Sequence, residues 1–230
     1  MSKKKKKKEV TNGRIEAVES ALSKSERFLE ENQKVILIVV SAIIVIVLGF
    51  LGYQRLIIAP KEVKAANEIF MAQNYFEHDS LYKALNGDGQ YAGFLEIVDR
   101  YGATSTGNLA KYYTGICYLK LQDFDNAIKY LKKFNTKNPV AKSMALGGIG
   151  DAYLELGKNE KAIEYYKKAA QQKNEFTSPL FLMKAGLSYE LLNDYQNALK
   201  VYEEIRMNYP KSYEARDIDR FIAKAKGMLR

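Results

Sequence analysis

The sequence predicts an all-α protein, a helical-hairpin solenoid preceded by a single transmembrane helix. Three observations predict it. An unbroken apolar run occupies Val35 to Tyr53. A glycine–tyrosine–alanine pattern recurs after it, with the glycines 35 and 36 residues apart. No stretch beyond residue 60 alternates apolar and polar residues as a strand does. Hydrophobic residues make up 47% of the 230, enough for a core, and only 4 prolines interrupt it.

The apolar run, VILIVVSAIIVIVLGFLGY, carries no charge and lies between Lys34 and Arg55. At about 1.5 Å per residue it spans close to the ~30 Å hydrocarbon core of a bilayer. Leu56, Ile57 and Ile58 extend it, with Arg55 snorkelling, so the anchor is read as residues 35–58. The run starts too late and is too long for a signal-peptide core, and no small-x-small cleavage site or lipobox cysteine follows. An uncleaved anchor in contact with membrane lipid is expected.

Charge orients it. Residues 1–60 hold 11 Lys/Arg and 6 Asp/Glu, and the cations cluster before the anchor as Lys3–Lys8, Arg14, Lys24, Arg27 and Lys34. Only Arg55, Lys61 and Lys64 follow closely. The positive-inside bias places residues 1–34 in the cytoplasm and residues 61–230 across the membrane. In a Gram-negative cell that is a single-pass inner-membrane protein with a periplasmic domain. Within the arm, Ile15, Val18, Leu22 and Leu29 have amphipathic helical spacing, and Ser23 with Glu26 has the form of a capping box. Such a helix fits a membrane surface or a partner equally well as a plain extension of the anchor.

The repeats align on Gly115, Gly150 and Gly186. A tyrosine follows each glycine by three residues, as Tyr118, Tyr153 and Tyr189. An alanine follows by twelve, as Ala127, Ala162 and Ala198, and four beyond it stand Leu131, Tyr166 and Tyr202. Pro139 and Pro210 close the first and third units, and residues 172–178 insert after the second. Small residues are expected where two helices cross closely, with Gly150 meeting Ala162, and the tyrosines fill the gaps between hairpins. Residues 108–210 thus resemble three tetratricopeptide (TPR) repeats. Lys111 and Phe134 depart from the family pattern, so the first unit is expected to pack irregularly.

Residues 61–107 read as a degenerate leading hairpin without that signature. Its helices are expected over 62–86, with Ala65, Ile69, Phe70 and Phe76 apolar, and over 90–101, with Phe94, Ile97, Val98 and Tyr101. Residues 211–230 supply a capping helix, with Ala215, Ile218, Phe221, Ile222 and Ala225 inward.

In the TPR family the first helix of each hairpin lines a partner groove. The resemblance puts Leu109, Tyr112, Ile116 and Leu119 there from the first unit. Met144, Gly147, Asp151 and Leu154 come from the second, and Leu180, Met183, Leu187 and Leu191 from the third, with Glu155 and Glu190 near them. This lining is apolar with a few acids, which suits a protein partner. Burial by the chain's own leading helix accounts for it equally well. Tyr112, Ile116 and Leu180 replace the cationic and amide residues of the carboxylate clamp found in co-chaperone members of the family, so that clamp is absent.

Chemistry finds little support. His78 is the only histidine and Cys117 the only cysteine, so neither a catalytic constellation nor a metal knuckle is expected. No phosphate loop is present, so no enzyme activity, cofactor or metal is expected. Residues 61–230 hold 25 Lys/Arg against 21 Asp/Glu, interspersed as on a solvated helix face, which argues against nucleic acid. The lysine-rich arm, single anchor and TPR domain, with KAANEIF at 64–70 and GNLAKYYTGI at 107–116, resemble the YfgM family. That resemblance implies an accessory subunit of the SecYEG translocon, working beside a PpiD-like membrane-anchored chaperone on secreted client chains. A structural scaffold for another envelope complex, in cell division, outer-membrane assembly or secretion, is the alternative.

Overall fold

The structure, a computed structural model, describes residues 32–230. The lysine run and the amphipathic spacing of 14–31 lie outside the described residues. The chain divides into two compact units, one ending at Ile57 and the other spanning Ile58–Arg230.

In the first unit, α1 (Gln33–Tyr53) buries no residue, and Ile46 is 70% exposed. A helix apolar all round that the described residues leave unburied has lipid as its natural solvent. The described residues contain one helix long and apolar enough to cross a bilayer. A π-helical segment, Gln54–Ile58, follows α1.

The second unit is all-helical. Its leading part comprises α2 (Ala59–Glu77), α3 (Leu81–Asn86) and α4 (Phe94–Tyr101). Three helical hairpins follow: α5 (Ser105–Lys120) with α6 (Phe124–Lys133), α7 (Pro139–Glu155) with α8 (Asn159–Ala170), and α9 (Thr177–Leu191) with α10 (Tyr195–Asn208). A 3-10 turn, Glu214–Asp217, leads into the terminal α11 (Ile218–Met228). The capping helix is thus shorter than residues 211–230, and Pro139 opens α7 rather than closing the hairpin before it. At that helix start Asn138 accepts hydrogen bonds from the N–H groups of Val140 and Ala141.

Each hairpin turns the same way. Gln122, Gly157 and Asn193 adopt left-handed backbone, with φ of 64°, 68° and 57°. The next N–H then donates back to the carbonyl of the repeat tyrosine: Asp123 to Tyr118, Lys158 to Tyr153, Asp194 to Tyr189, all at 2.9 Å. This six-to-one bond satisfies a carbonyl that the helix end leaves unpaired. Asp123 and Asp194 then cap the following helices by accepting from the N–H groups of Asn126 and Asn197.

The glycines serve the hairpin interior, and their nearest neighbours across it lie beyond the alanine expected there. A Cβ on Gly150 would meet the Tyr166 ring at 2.6 Å, one on Gly186 the Tyr202 ring at 2.2 Å, and one on Gly115 the Leu131 side chain at 2.6 Å. The close approach therefore involves the residue four beyond the alanine. Ala162 itself is fully buried. The repeat tyrosines make ring contacts within a hairpin rather than the expected ones between hairpins: Tyr118 stacks on Tyr130 and Tyr153 packs on Tyr165.

The leading hairpin hides the same design. Asp79 has φ of 56°, and the Ser80 N–H donates to the Tyr75 carbonyl at 2.8 Å. Counting from that turn, Ala72, Tyr75 and Ala84 occupy the offsets of the repeat glycine, tyrosine and alanine, and Ala72 and Ala84 are fully buried. The expected single helix over 62–86 is therefore two, because the turn at His78–Ser80 breaks it. The second helix, expected over 90–101, begins only at Phe94 because Gly87 and Gly93 form a tight loop before it. A Cβ on Gly93 would meet the Leu85 carbonyl oxygen at 2.3 Å. Ile69 turns inward, so its neighbour Phe70 is left 66% exposed, against the expected apolar face. Phe76 packs edge-on against Phe94 and Tyr113.

The leading helices bury Ala65, Ile69, Leu85, Phe94 and Ile97 against Ala110 and Cys117 of α5, as one cluster. The repeats and α11 form another. Glu62 ties α2 to α5 by accepting from the Thr106 hydroxyl at 2.7 Å and the Thr106 N–H at 3.1 Å. Burial pushes the Glu62 carboxyl up, but these bonds outweigh it and hold the group below the usual carboxylate range.

Candidate protein-binding groove

The first helices of the three hairpins, α5, α7 and α9, converge on a cleft of about 480 Å³. Its walls are Leu119, Leu154, Leu187 and Leu191, with Phe124 and Ser188 beside them. Charged groups from both signs join these walls: Lys120, Lys184, Asp151 and Glu155. Leu187 is 41% and Leu191 63% exposed, so apolar surface faces solvent here.

A polar network fixes the floor. Tyr166 reaches from α8 across Gly150 and donates its phenol O–H to Asp151 Oδ1 at 2.7 Å. Lys184 Nζ donates to the same oxygen at 2.7 Å. Burial, then the bond to Asp151, pushes the Tyr166 phenol up, so it stays a donor at any physiological pH. The ammonium of Lys184 also lies 5.8 Å from the Tyr166 ring centroid. One carboxylate thus holds a cation from the neighbouring hairpin in place. The third unit repeats the device, with Tyr202 and Lys224 both donating to Glu190, at 3.2 and 2.6 Å.

Of the residues the sequence assigns to the groove, Leu119, Asp151, Leu154, Leu187 and Leu191 meet in this cleft. Leu109 and Met144 are exposed but outside it, at 37% and 38%. Tyr112, Ile116, Leu180 and Met183 are half-buried and pack against the repeat core. Tyr112 is covered by Phe134, 5.3 Å between ring centroids, and burial raises its phenol pKa. The irregular Phe134 thus removes a groove position. Gly147, also placed in the lining, is buried, and its missing side chain seats the Phe181 ring, which a Cβ would meet at 1.9 Å. Sequence reasoning missed Lys184, Lys120 and Phe124. Lys184 lies three residues before Leu187, and that spacing was the available signal.

The leading helix does not fill the cleft. It packs on Ala110, Tyr113 and Cys117 of α5, and none of its residues line the cleft. Cys117 is fully buried, and burial pushes its thiol up to about 12, which suits packing rather than nucleophilic chemistry. His78 is exposed, with Nδ1 2.8 Å from the Asn74 carbonyl at the end of α2.

The tetratricopeptide-repeat family model matches residues 118–175 and 148–213. The chain is also similar to the TPR repeat-containing protein MJ1428 of Methanocaldococcus jannaschii, at 29% identity over 130 residues, which is 56% of this chain. It spans only 22% of the length of that relative. Together with the three hairpins, the family match shows that the chain carries tetratricopeptide repeats, a module whose stacked helices offer an extended surface to other proteins.

Proposed function

We propose that this chain is a membrane-anchored adaptor whose repeat domain lies outside the cytoplasm and grips other proteins through the α5–α7–α9 cleft. The observation that carries this reading is the open apolar wall of Leu187 and Leu191 beside the fixed Lys184–Asp151 pair. Exposed leucines cost solvation unless a partner covers them, and a fixed ion pair gives that partner a register. The exposed apolar helix α1 and the lysine excess before it support anchoring with the N-terminus inside. Confinement to the membrane raises the effective concentration of partners held there, so a shallow cleft suffices.

The resemblance to the YfgM family points to the partner class: the Sec channel and a membrane-anchored chaperone, met where secreted chains emerge. The experiment is gentle detergent extraction of a tagged copy, followed by mass spectrometry. Channel and chaperone subunits are expected, and Leu187→Asp with Leu191→Asp is expected to reduce their recovery. Both side chains are exposed, so this pair tests binding without emptying the core, which Ile116→Asp would not. Recovery of division or outer-membrane components instead would establish the scaffold role. Orientation is tested separately, by protease added outside spheroplasts: degradation of the domain is expected, and its protection would refute the topology.

A further inference from the structure

Positive charge is concentrated in one part of the repeat domain. Residues 129–173 hold ten lysines and four acids, Asp151, Glu155, Glu160 and Glu164. Three of these lysines, Lys132, Lys142 and Lys168, converge on a second cleft, between α6, α7 and α8, of about 260 Å³. It shares no residue with the first cleft.

Two of the lysines are held by rings. Lys132 lies 5.6 Å from the centroids of both Tyr153 and Tyr165, and its Nζ donates to the Tyr153 hydroxyl at 3.1 Å. Lys168 lies 4.9 Å from the Tyr165 centroid. An aromatic face orients an ammonium without neutralising it, so donors remain for an incoming anion. Glu164, paired with Lys168, is the one carboxylate tied to these three among the described residues. The Lys142 ammonium has no hydrogen-bond or ion-pair partner among the described residues, its backbone N–H alone donating to the Asn138 carbonyl. Beneath the lysines the cleft floor is apolar and recessed, with Leu131 1%, Ala145 5% and Ile149 2% exposed.

We propose that this cleft is a second docking site, for a polypeptide segment in which an apolar side chain is flanked by Asp or Glu carboxylates. The charge of the rim selects the carboxylates. The recessed floor selects an apolar side chain, and its volume falls below the ~300 Å³ at which small-molecule pockets begin. An anionic bilayer surface would engage the lysines and leave the floor empty, so the floor favours a peptide. The protein then holds partners at two separate places, one mostly apolar and one cationic.

The test uses the full chain in neutral-lipid nanodiscs and a fluorescein-labelled peptide with a Leu-Phe pair between two Glu pairs. Anisotropy is expected to show binding that weakens as salt rises. Lys132→Glu with Lys142→Glu is expected to weaken it about tenfold or more, since two opposed pairs become like-charge pairs. Lys142→Glu alone, which breaks no bond within the chain, is expected to give a smaller loss with an unchanged melting temperature. Leu187→Asp is expected to leave the affinity as it is. Equal binding of a peptide with Ser-Ser in place of Leu-Phe would overturn the proposal, because charge alone would explain it. So would indifference to the lysine reversals, or a loss on Leu187→Asp, which would seat the peptide in the first cleft. Loss of peptide binding in phosphatidylglycerol nanodiscs would give the lysines to lipid headgroups.

Discussion

The leading hairpin and the three repeats share a turn but not a filling. In all four, a left-handed residue stands four places after a tyrosine whose carbonyl accepts the next N–H. In the repeats, the second helix then brings Leu131, Tyr166 or Tyr202 over a glycine. In the leading hairpin α3, the helix after the turn, stops at Asn86, and Asp88 occupies that offset in a loop. No helical leucine or tyrosine stands at that offset, and Ala72 occupies the place where the repeats carry glycine. Glycine in this fold is a packing requirement imposed by the partner helix; the turn does not need it.

That contrast can be broken in several ways. The largest effect is expected at Gly186→Ala. The added methyl would sit 2.2 Å from the buried Tyr202 ring, and such overpacking costs about 2–3 kcal/mol in a thermal or denaturant melt. Next comes Ala162→Leu, which overfills a fully buried site and is expected to cost about 1–3 kcal/mol. An unchanged melting temperature for either would mean that the repeat interior is not packed as described. The reverse change in the leading hairpin, Ala72→Gly, should cost less, about 1.5 kcal/mol, through helix propensity and one buried methyl. A cost as large as that of Gly186→Ala would erase the distinction.

The smallest effect sharpens the same comparison through pH. The Tyr75 phenol, then the Tyr91 and Gln90 N–H groups, hold the Asp88 carboxyl down to about 2, from 3.8. Because the folded value is the lower one, whatever these bonds contribute is complete above 3.8 and is lost as pH falls through about 2. Carboxyl NMR of the native protein should show an Asp88 midpoint near 2, and Tyr75→Phe should move it back toward 3.8. A midpoint already at the ordinary value would mean that the loop does not fold onto Tyr75.

The repeats were legible because the Gly–Tyr–Ala offsets recur unchanged while the surfaces between them vary. The leading hairpin was not, because its glycine has become Ala72 and its second helix is cut short, so the period disappears. Ile69 and Phe70 are adjacent, and helical spacing alone does not say which of the two turns inward. The cleft was half legible. Spacing along the first helices identifies a stripe, but Phe134 covering Tyr112 is a contact between distant residues. Lys184 stands among Leu182, Met183 and Ala185, and only its bond to Asp151, 33 residues away, makes it part of the floor.

The proposed seat of a protein partner is the α5–α7–α9 cleft. Site-specific photocrosslinking in native membranes tests it most directly, with the photoreactive residue placed at Leu187 or, as a comparison, at Tyr82, which is 73% exposed on the leading hairpin. Discrete adducts are expected from Leu187, weakened by Leu191→Asp, and none of the same mass from Tyr82. Adducts from Tyr82 with silence at Leu187 would contradict it.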